Sequence, residues 1–251
     1  MTDRTGSLLL LRHGQSVSNA ADVFTGWSDV ALSGLGEAQA GGAAVVLRSL
    51  GIRPTCVHTS LLRRSIATAE LLTGALGCSW VPVHRSWRLN ERHYGALTGR
   101  DKREVAAGTD AAVYRAWHRS FAVAPPPMSA AAAAELYADP RYAGLPAAAQ
   151  PRTESLADVR ARLLPYWSDV LFPQLLAGGT PLVVGHGNTL RALVMYLEDI
   201  GPADVEHLDI PTAVPMRYHL DHRGRPATGP GGRYLDPVAA AEPVRIGALA
   251  T

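Results

Sequence analysis

The 251-residue sequence has only two cysteines, Cys56 and Cys78, and no Cys-x-x-Cys pair, so it offers neither a disulfide framework nor a thiolate metal site. No stretch approaches the roughly 18–20 consecutive apolar residues of a membrane helix. The opening Met1-Thr-Asp-Arg-Thr-Gly-Ser also lacks the apolar run of a secretory leader. Charge of one sign is missing as well. The 24 basic and 22 acidic residues give a formal net charge of +2, too mild for the clustered basic face that nucleic acid calls for. Lysine is nearly absent: Lys102 stands alone among arginines. It is either a chance survivor or a position where a compact ammonium fits and a planar guanidinium does not. These absences lead us to expect a soluble, cytoplasmic protein with no nucleic-acid and no membrane partner.

What the chain does have is material for a core. Apolar residues make up 47% and charged residues 18%, which excludes global disorder. The length suits one large domain. Short apolar runs at Leu8–Leu11, Thr55–Thr59, Trp80–Val83, Pro181–Gly185 and Val214–Leu220 read as strands. Helices are expected from Ser33 to Leu50, with Ser33 as cap and Gly51 as stop, and from Ser60 to Leu76, closed by Gly77. A third runs from about Asn188 to Leu197. A fourth starts at Ser155, with Asp158 as capping-box partner, and heads for Leu176 through a kink or break at Pro165. Strands alternating with helices predict an α/β fold, a three-layer α/β/α sandwich on a mainly parallel sheet. We expect a single domain over residues 1–251, with an insertion at about 101–151 over the sheet edge. The glycine- and proline-rich tail after about 221 is expected to be mobile.

Two segments share a layout: Leu-Leu-Leu-Leu-Arg12-His13-Gly14 and Leu-Val-Val-Gly185-His186-Gly187-Asn188. In each, an apolar strand ends at a histidine and a glycine follows. Ligands of open α/β sheets bind beyond the carboxyl ends of the strands, so both histidines belong on one edge. A helix starting near Asn188 adds its positive end for an anion. Arg63 and Arg64, expected in the first turn of the helix after Ser60, either clamp an anion there or point into water. Glu91, among cations in Trp87-Arg-Leu-Asn-Glu91-Arg92-His93-Tyr94-Gly95, is either a general acid–base group or half of a solvated loop ion pair.

Together with Gln15, Ser16…Asn19, Phe24-Thr25-Gly26-Trp27, Thr153-Glu154-Ser155-Leu156 and Lys102, these segments resemble the cofactor-dependent phosphoglycerate mutases of the histidine phosphatase superfamily. The likeness runs in order from about Leu8 to Tyr234. Arg-His-Gly marks only the superfamily, whereas Glu91-Arg-His-Tyr-Gly-Ala-Leu followed by a lysine is particular to the mutase branch. The resemblance implies interconversion of 3-phosphoglycerate and 2-phosphoglycerate through a phosphohistidine, primed by 2,3-bisphosphoglycerate. It makes His13 the nucleophile and Glu91 the proton shuttle, with Arg12, Arg64 and His186 around the transferring phosphoryl. It assigns substrate and cofactor contacts to Gly14, Gln15, Ser16, Asn19, Thr25, Gly26, His93, Tyr94, Lys102, Gly187 and Asn188. The second anionic end falls to Arg92, His118 and Arg119.

His118 departs from the family's paired arginines and lacks their bidentate fork. The expected consequence is a weaker hold on the bisphosphorylated cofactor, with affinity falling as pH rises through the histidine's pKa. Ser18 replaces a family aromatic, and Ala213 follows Thr212 where glycine is common. No metal is expected, since no paired-carboxylate motif is present and the arginines supply the charge. His58, His84, His207, His219 and His222 show no ligand spacing and read as structural or exposed. The resemblance further implies a homodimer or homotetramer acting on small phosphorylated sugar acids. A phosphatase of the same superfamily and a non-catalytic anion-binding protein are the competing readings.

Overall fold

The computed structural model describes residues 5–227 and 231–242. Its strands are β1 (Ser7–Arg12), β2 (Cys56–Thr59), β3 (Val83–Arg85), β4 (Pro181–Gly185), β5 (Met216–His219) and β6 (Arg233–Tyr234). Its helices are α1 (Val17–Ala20), α2 (Gly34–Ser49), α3 (Arg63–Leu76), α4 (Lys102–Ala107), α5 (Ala111–Arg119), α6 (Ala130–Tyr137), α7 (Leu156–Tyr166), α8 (Phe172–Leu176), α9 (Gly187–Leu197) and α10 (Pro237–Ala241). Among the described residues the strands form one sheet in the order β3-β2-β4-β1-β5-β6. The first four are parallel, and β5 and β6 are added antiparallel.

The two-residue side-chain period of the strands sorts the core into two layers. Leu9, Leu11, Leu182 and Val184 pack against Ala43 and Leu47 of α2 and Leu72 and Leu76 of α3. Leu8, Leu10 and Val183 face the opposite way, onto Leu156, Val159 and Leu163 of α7 and Leu190 and Leu193 of α9. Strands buried on both faces read as unbroken apolar runs, which is why β1 and β4 stand out in the sequence. The result is the α/β/α sandwich.

Several boundaries differ from the sequence reading. The third strand is Val83–Arg85, not Trp80–Val83. The C-terminal turn of α3 returns the Cys78 amide to Thr73 O, and Val81 closes a further turn onto Cys78 O, so Trp80 is thrown outward at 79% exposure. The helix expected from Ser60 begins at Arg63, because Ser60 Oγ accepts from the Leu62 amide and holds a non-helical turn. The fifth strand is trimmed to Met216–His219, and β6 was not foreseen.

Pro165 does divide the long helix: α7 ends at Tyr166 and a π turn, Trp167–Leu171, leads into α8. The capping pairs Ser33–Gly36 and Ser155–Asp158 form as read. The 101–151 segment packs across the carboxyl ends of the strands: Val105, Tyr114 and Trp117 join Phe24, Tyr94 and Leu97 in a separate small cluster. Of the tail after 221, the described part supplies β6 and α10; the remainder lies outside the described residues.

Candidate active site

The parallel register of β1 and β4 pairs Arg12 with Gly185, so His13 and His186 leave adjacent strands at the same level. The His13 amide donates to Gly185 O at 3.0 Å, and the two imidazoles meet edge to face. His13 is buried and its Nδ1 lies 2.7 Å from Gly14 O. That carbonyl can only accept, so Nδ1 carries the proton and Nε2 keeps its lone pair. Arg64 Nε donates to Nε2 from 3.3 Å. Burial, then Arg64 and Arg12, hold the His13 pKa well below the usual histidine range. His13 is therefore neutral near pH 7.

The turn that aims His13 depends on Gly14. A Cβ there would lie 2.2 Å from Gly36 O at the start of α2, a backbone contact that cannot yield. Ser16 is fully buried and caps α1 through a reciprocal pair with Asn19. Gly14 and Ser16 thus shape the loop from behind the cavity wall.

Arg64 and Arg12 flank His13, and among the described residues neither has a carboxylate at ion-pair distance. Arg64 donates to Ser28 O and Gly26 O, both at 2.9 Å, and burial lowers its pKa to about 10. Arg12 donates to Ile210 O at 2.9 Å, and its Nε is buried with no partner. Arg63, by contrast, is exposed, and its amide at the α3 N-terminus is taken by Asp29 Oδ1 at 2.7 Å. An internal carboxylate holds that helix end, and of the two arginines only Arg64 reaches His13 and the cavity.

Glu91 Oε1 accepts from the Arg92 amide at 2.7 Å and from the Asn188 amide, at the N-terminus of α9, at 3.2 Å. The Glu91 carbonyl is fixed by Trp27 Nε1 and by Arg162 Nη2. Arg162 is itself in a buried ion pair with Glu154. Around His118 stand four cations, Arg92, Lys102, Arg119 and Arg191, which together with burial depress its pKa to about 3. Both effects work against a charged His118.

One cavity of about 730 Å³ joins these groups. Its wall includes Arg12, His13, Gln15, Asn19, Thr25, Gly26, Arg64, Glu91, Tyr94, Lys102, His118, Arg119, Gly187 and Asn188. Arg92 and His93 stand behind it: Arg92 is fully buried over the Tyr94 ring, and His93 Nδ1 accepts from the Gly95 amide. His186 lies behind His13, with its Nε2 2.7 Å from Ser60 Oγ and its buried Nδ1 without a partner.

Among the wall residues missed from sequence are Asp22, Asp209 and Arg191. Arg191 had a readable signal, since it is a charge in an otherwise apolar helix one turn past Asn188. It donates to Asn188 Oδ1, Arg119 O and Val205 O, and has no carboxylate partner. Asp22 and Asp209 gave no local signal, because their role arises only where distant loops meet. Arg12 Nε, Arg92 Nε, Arg191 Nε and His186 Nδ1 are all buried polar atoms lacking a partner in the protein. Of these, Arg12 and Arg191 line the cavity, where a guanidinium donor without a protein acceptor fits an anionic ligand.

Comparison with known proteins agrees with this chemistry. The histidine phosphatase superfamily (branch 1) matches residues 8–228. A 2,3-bisphosphoglycerate-dependent phosphoglycerate mutase of Streptomyces avermitilis is 48% identical over 96% of this chain and 95% of its own. The enzyme of that name from Thermobifida fusca is 49% identical over 95% of this chain and 96% of its own. Among solved structures, a mycobacterial glucosyl-3-phosphoglycerate phosphatase complexed with VO3 superposes with a TM-score of 0.65. It is 27% identical and covers 84% of this chain and 92% of its own.

Proposed function

Because the chain belongs to the histidine phosphatase superfamily and, within it, to the cofactor-dependent phosphoglycerate mutases, we propose that it is an isomerase of glycolysis and gluconeogenesis that interconverts 3-phosphoglycerate and 2-phosphoglycerate. The observation that carries this reading is the division of cations within one cavity. Arg12 and Arg64 stand by His13, while Lys102, Arg119 and Arg191 line the wall around His118, with Arg92 behind it. A phosphatase needs one strong anion site; a mutase must hold a ligand with two anionic ends in both orientations. 2,3-Bisphosphoglycerate, bound there, supplies the phosphoryl group that primes the enzyme.

The residues then divide the work. His13 Nε2 attacks phosphorus in line, the P–O bond of the donor breaks, and Glu91 gives a proton to the departing oxygen. In the second half Glu91 takes the proton of the accepting hydroxyl as it attacks phosphorus, the P–N bond breaks and His13 is regenerated. Arg12 and Arg64 neutralise the charge on the equatorial oxygens throughout. His186 adds a neutral imidazole beside His13, held through Nε2 by Ser60 Oγ, with Nδ1 left without a protein partner. Charge neutralisation comes from guanidinium groups, and the reading includes no metal. It extends to a cytoplasmic homodimer or homotetramer acting on small phosphorylated sugar acids, with no nucleic-acid or membrane partner.

The test is conversion of 3-phosphoglycerate coupled to enolase, in chelator, with and without a trace of 2,3-bisphosphoglycerate, while free phosphate is followed. Fast isomerisation dependent on the trace bisphosphate is expected, with little phosphate released and no activity in His13→Ala. Phosphate release without isomerisation would overturn the mutase reading in favour of a phosphatase.

A further inference from the structure

Trp27 and Glu154 stand in motifs that the sequence singles out, yet neither lines the cavity. Both are buried, and both hydrogen-bond the chain around Glu91. Residues 91–94 belong to no helix or strand, so no regular ladder fixes their backbone. One guanidinium supplies the missing bonds. Arg162 Nη1 donates to Arg88 O at 2.7 Å, and its Nη2 donates to Asn90 O at 2.9 Å and to Glu91 O at 3.0 Å. Its partner Glu154 accepts from Arg162 Nε at 2.6 Å and from Nη2 at 3.1 Å, and its Oε2 also takes the His93 amide at 2.8 Å. The Glu91 carbonyl has a second donor in Trp27 Nε1, at 2.6 Å. Trp27 is boxed in turn by the rings of Trp87, His93, Tyr137 and Tyr142, with the Arg162 guanidinium 5.8 Å from its own ring.

Replacing a buried ion pair by well-packed apolar residues is often neutral or stabilising, so stability alone does not explain this one. An apolar pair could not hold three carbonyls and an amide of one irregular segment in fixed positions. On the cavity side, Glu91 Oε1 accepts from the Arg92 and Asn188 amides. The carboxylate and the carbonyl of one residue are thus held from opposite sides.

We propose that Arg162 and Trp27 are positioning residues that hold the Glu91 carboxylate where proton transfer needs it, with Glu154 orienting Arg162. The inference rests on the reading above that Glu91 moves the proton. Neither side chain lines the cavity, so each acts through the Glu91 peptide. A misplacement of about 1 Å at a reacting group can cost about a hundredfold in rate.

The experiment compares two phosphoryl donors on the full chain. In both, the donor P–O bond breaks as the bond from His13 Nε2 to phosphorus forms. The alkoxide leaving a phosphoglycerate needs a proton, whereas p-nitrophenolate departs with its electron pair as a stable anion. Trp27→Phe keeps a ring in the box and removes the N–H. It should slow conversion of 3-phosphoglycerate about five- to tenfold, with KM and single-turnover release of p-nitrophenolate changed by less than about twofold. Arg162→Gln combined with Glu154→Gln, which strands no buried charge, should slow conversion about tenfold to a hundredfold with the same selectivity. Glu91→Gln sets the reference ratio between the two donors. Unchanged conversion in Trp27→Phe would overturn the inference, as would an equal loss with both donors, the mark of a generally loosened fold. Trp27→Phe decides the matter even if the double variant fails to fold. Selectivity in Glu91→Gln without selectivity in Trp27→Phe overturns the brace alone. No selectivity in Glu91→Gln overturns the proton-shuttle reading and the brace with it. A wild-type chain that releases phosphate without isomerising gives the same ratio on that release, so failure of the mutase reading is a separate result.

Discussion

Ser60 Oγ lies 2.7 Å from His186 Nε2 and accepts a hydrogen bond from the Leu62 amide. One serine therefore ties the His186 ring to the turn that precedes α3. Ser60→Ala should lower kcat by about tenfold to a hundredfold, the usual scale for losing a group that orients a functional histidine, with a smaller change in KM. It should also cost about 1–3 kcal/mol of stability, because it leaves buried polar groups unpaired. Steady-state kinetics and urea unfolding on the same variant check both. An unchanged kcat would mean that another contact holds the ring.

Stability should fall on the acid side of neutrality, driven by histidines. Burial lowers the pKa of His58 and His93 to about 4 and of His118 to about 3, and holds His13 and His186 well below the usual value. The unfolded chain takes up these protons near pH 6.5, and the folded one refuses them until far lower. The stabilisation is therefore complete above pH 6.5 and is lost as pH falls from there toward 4, at about 1.4 kcal/mol per histidine per pH unit. Urea titrations should give a plateau from pH 7 to 8.5 and a steep decline by pH 5. His58→Gln should make the decline shallower by one proton's worth.

Arg191→Met should raise KM by about tenfold or more, on the scale of losing charge-assisted bonds, with a smaller effect on kcat. The replacement removes a cation from the wall and frees Asn188, Arg119 O and Val205 O together. Arg191→Lys keeps the charge without the fork, so it should recover only part of the loss. Equal kinetics for the two variants would show that the fork, not the charge, carries the effect, and full recovery by lysine would show that charge alone matters.

Ala213→Gly should stabilise the protein. Ala213 has φ +57°, where an L side chain costs about 1 kcal/mol or slightly more, and it follows the Thr212 bridge to Arg12. The expected gain is about 0.5–1 kcal/mol, reduced by the greater freedom of glycine in the unfolded chain. A loss of stability on thermal unfolding would mean that the buried methyl contributes more by packing than the backbone loses by strain.

Much of this molecule is legible where local chemistry and tertiary need coincide. The runs before His13 and His186 are strands because both their faces are buried, and Ser33, Gly77, Ser155 and Pro165 punctuate the helices as their backbone chemistry requires. Legibility ends where a residue is claimed by a distant one. Asp29 takes the helix start that seemed reserved for a ligand, and Trp80 was read as strand although the C-terminal turn of α3 throws it out of the sheet. His93, Arg92 and Ser16 belong to the right motifs, yet they stand behind the wall. Asp22 and Asp209 are ordinary loop aspartates until the fold sets them against Lys102 and Arg119.

The pairing of β1 with β4 also anchors the two histidines. Hydrogen-bonded strands repeat at about 4.7–4.9 Å, and the rings of His13 and His186, one residue beyond a paired position, have centroids 4.9 Å apart. Both histidines thus spring from the buried centre of the sheet, one residue past the last paired position of β1 and β4, and the backbone that carries them can part only if those two strands separate.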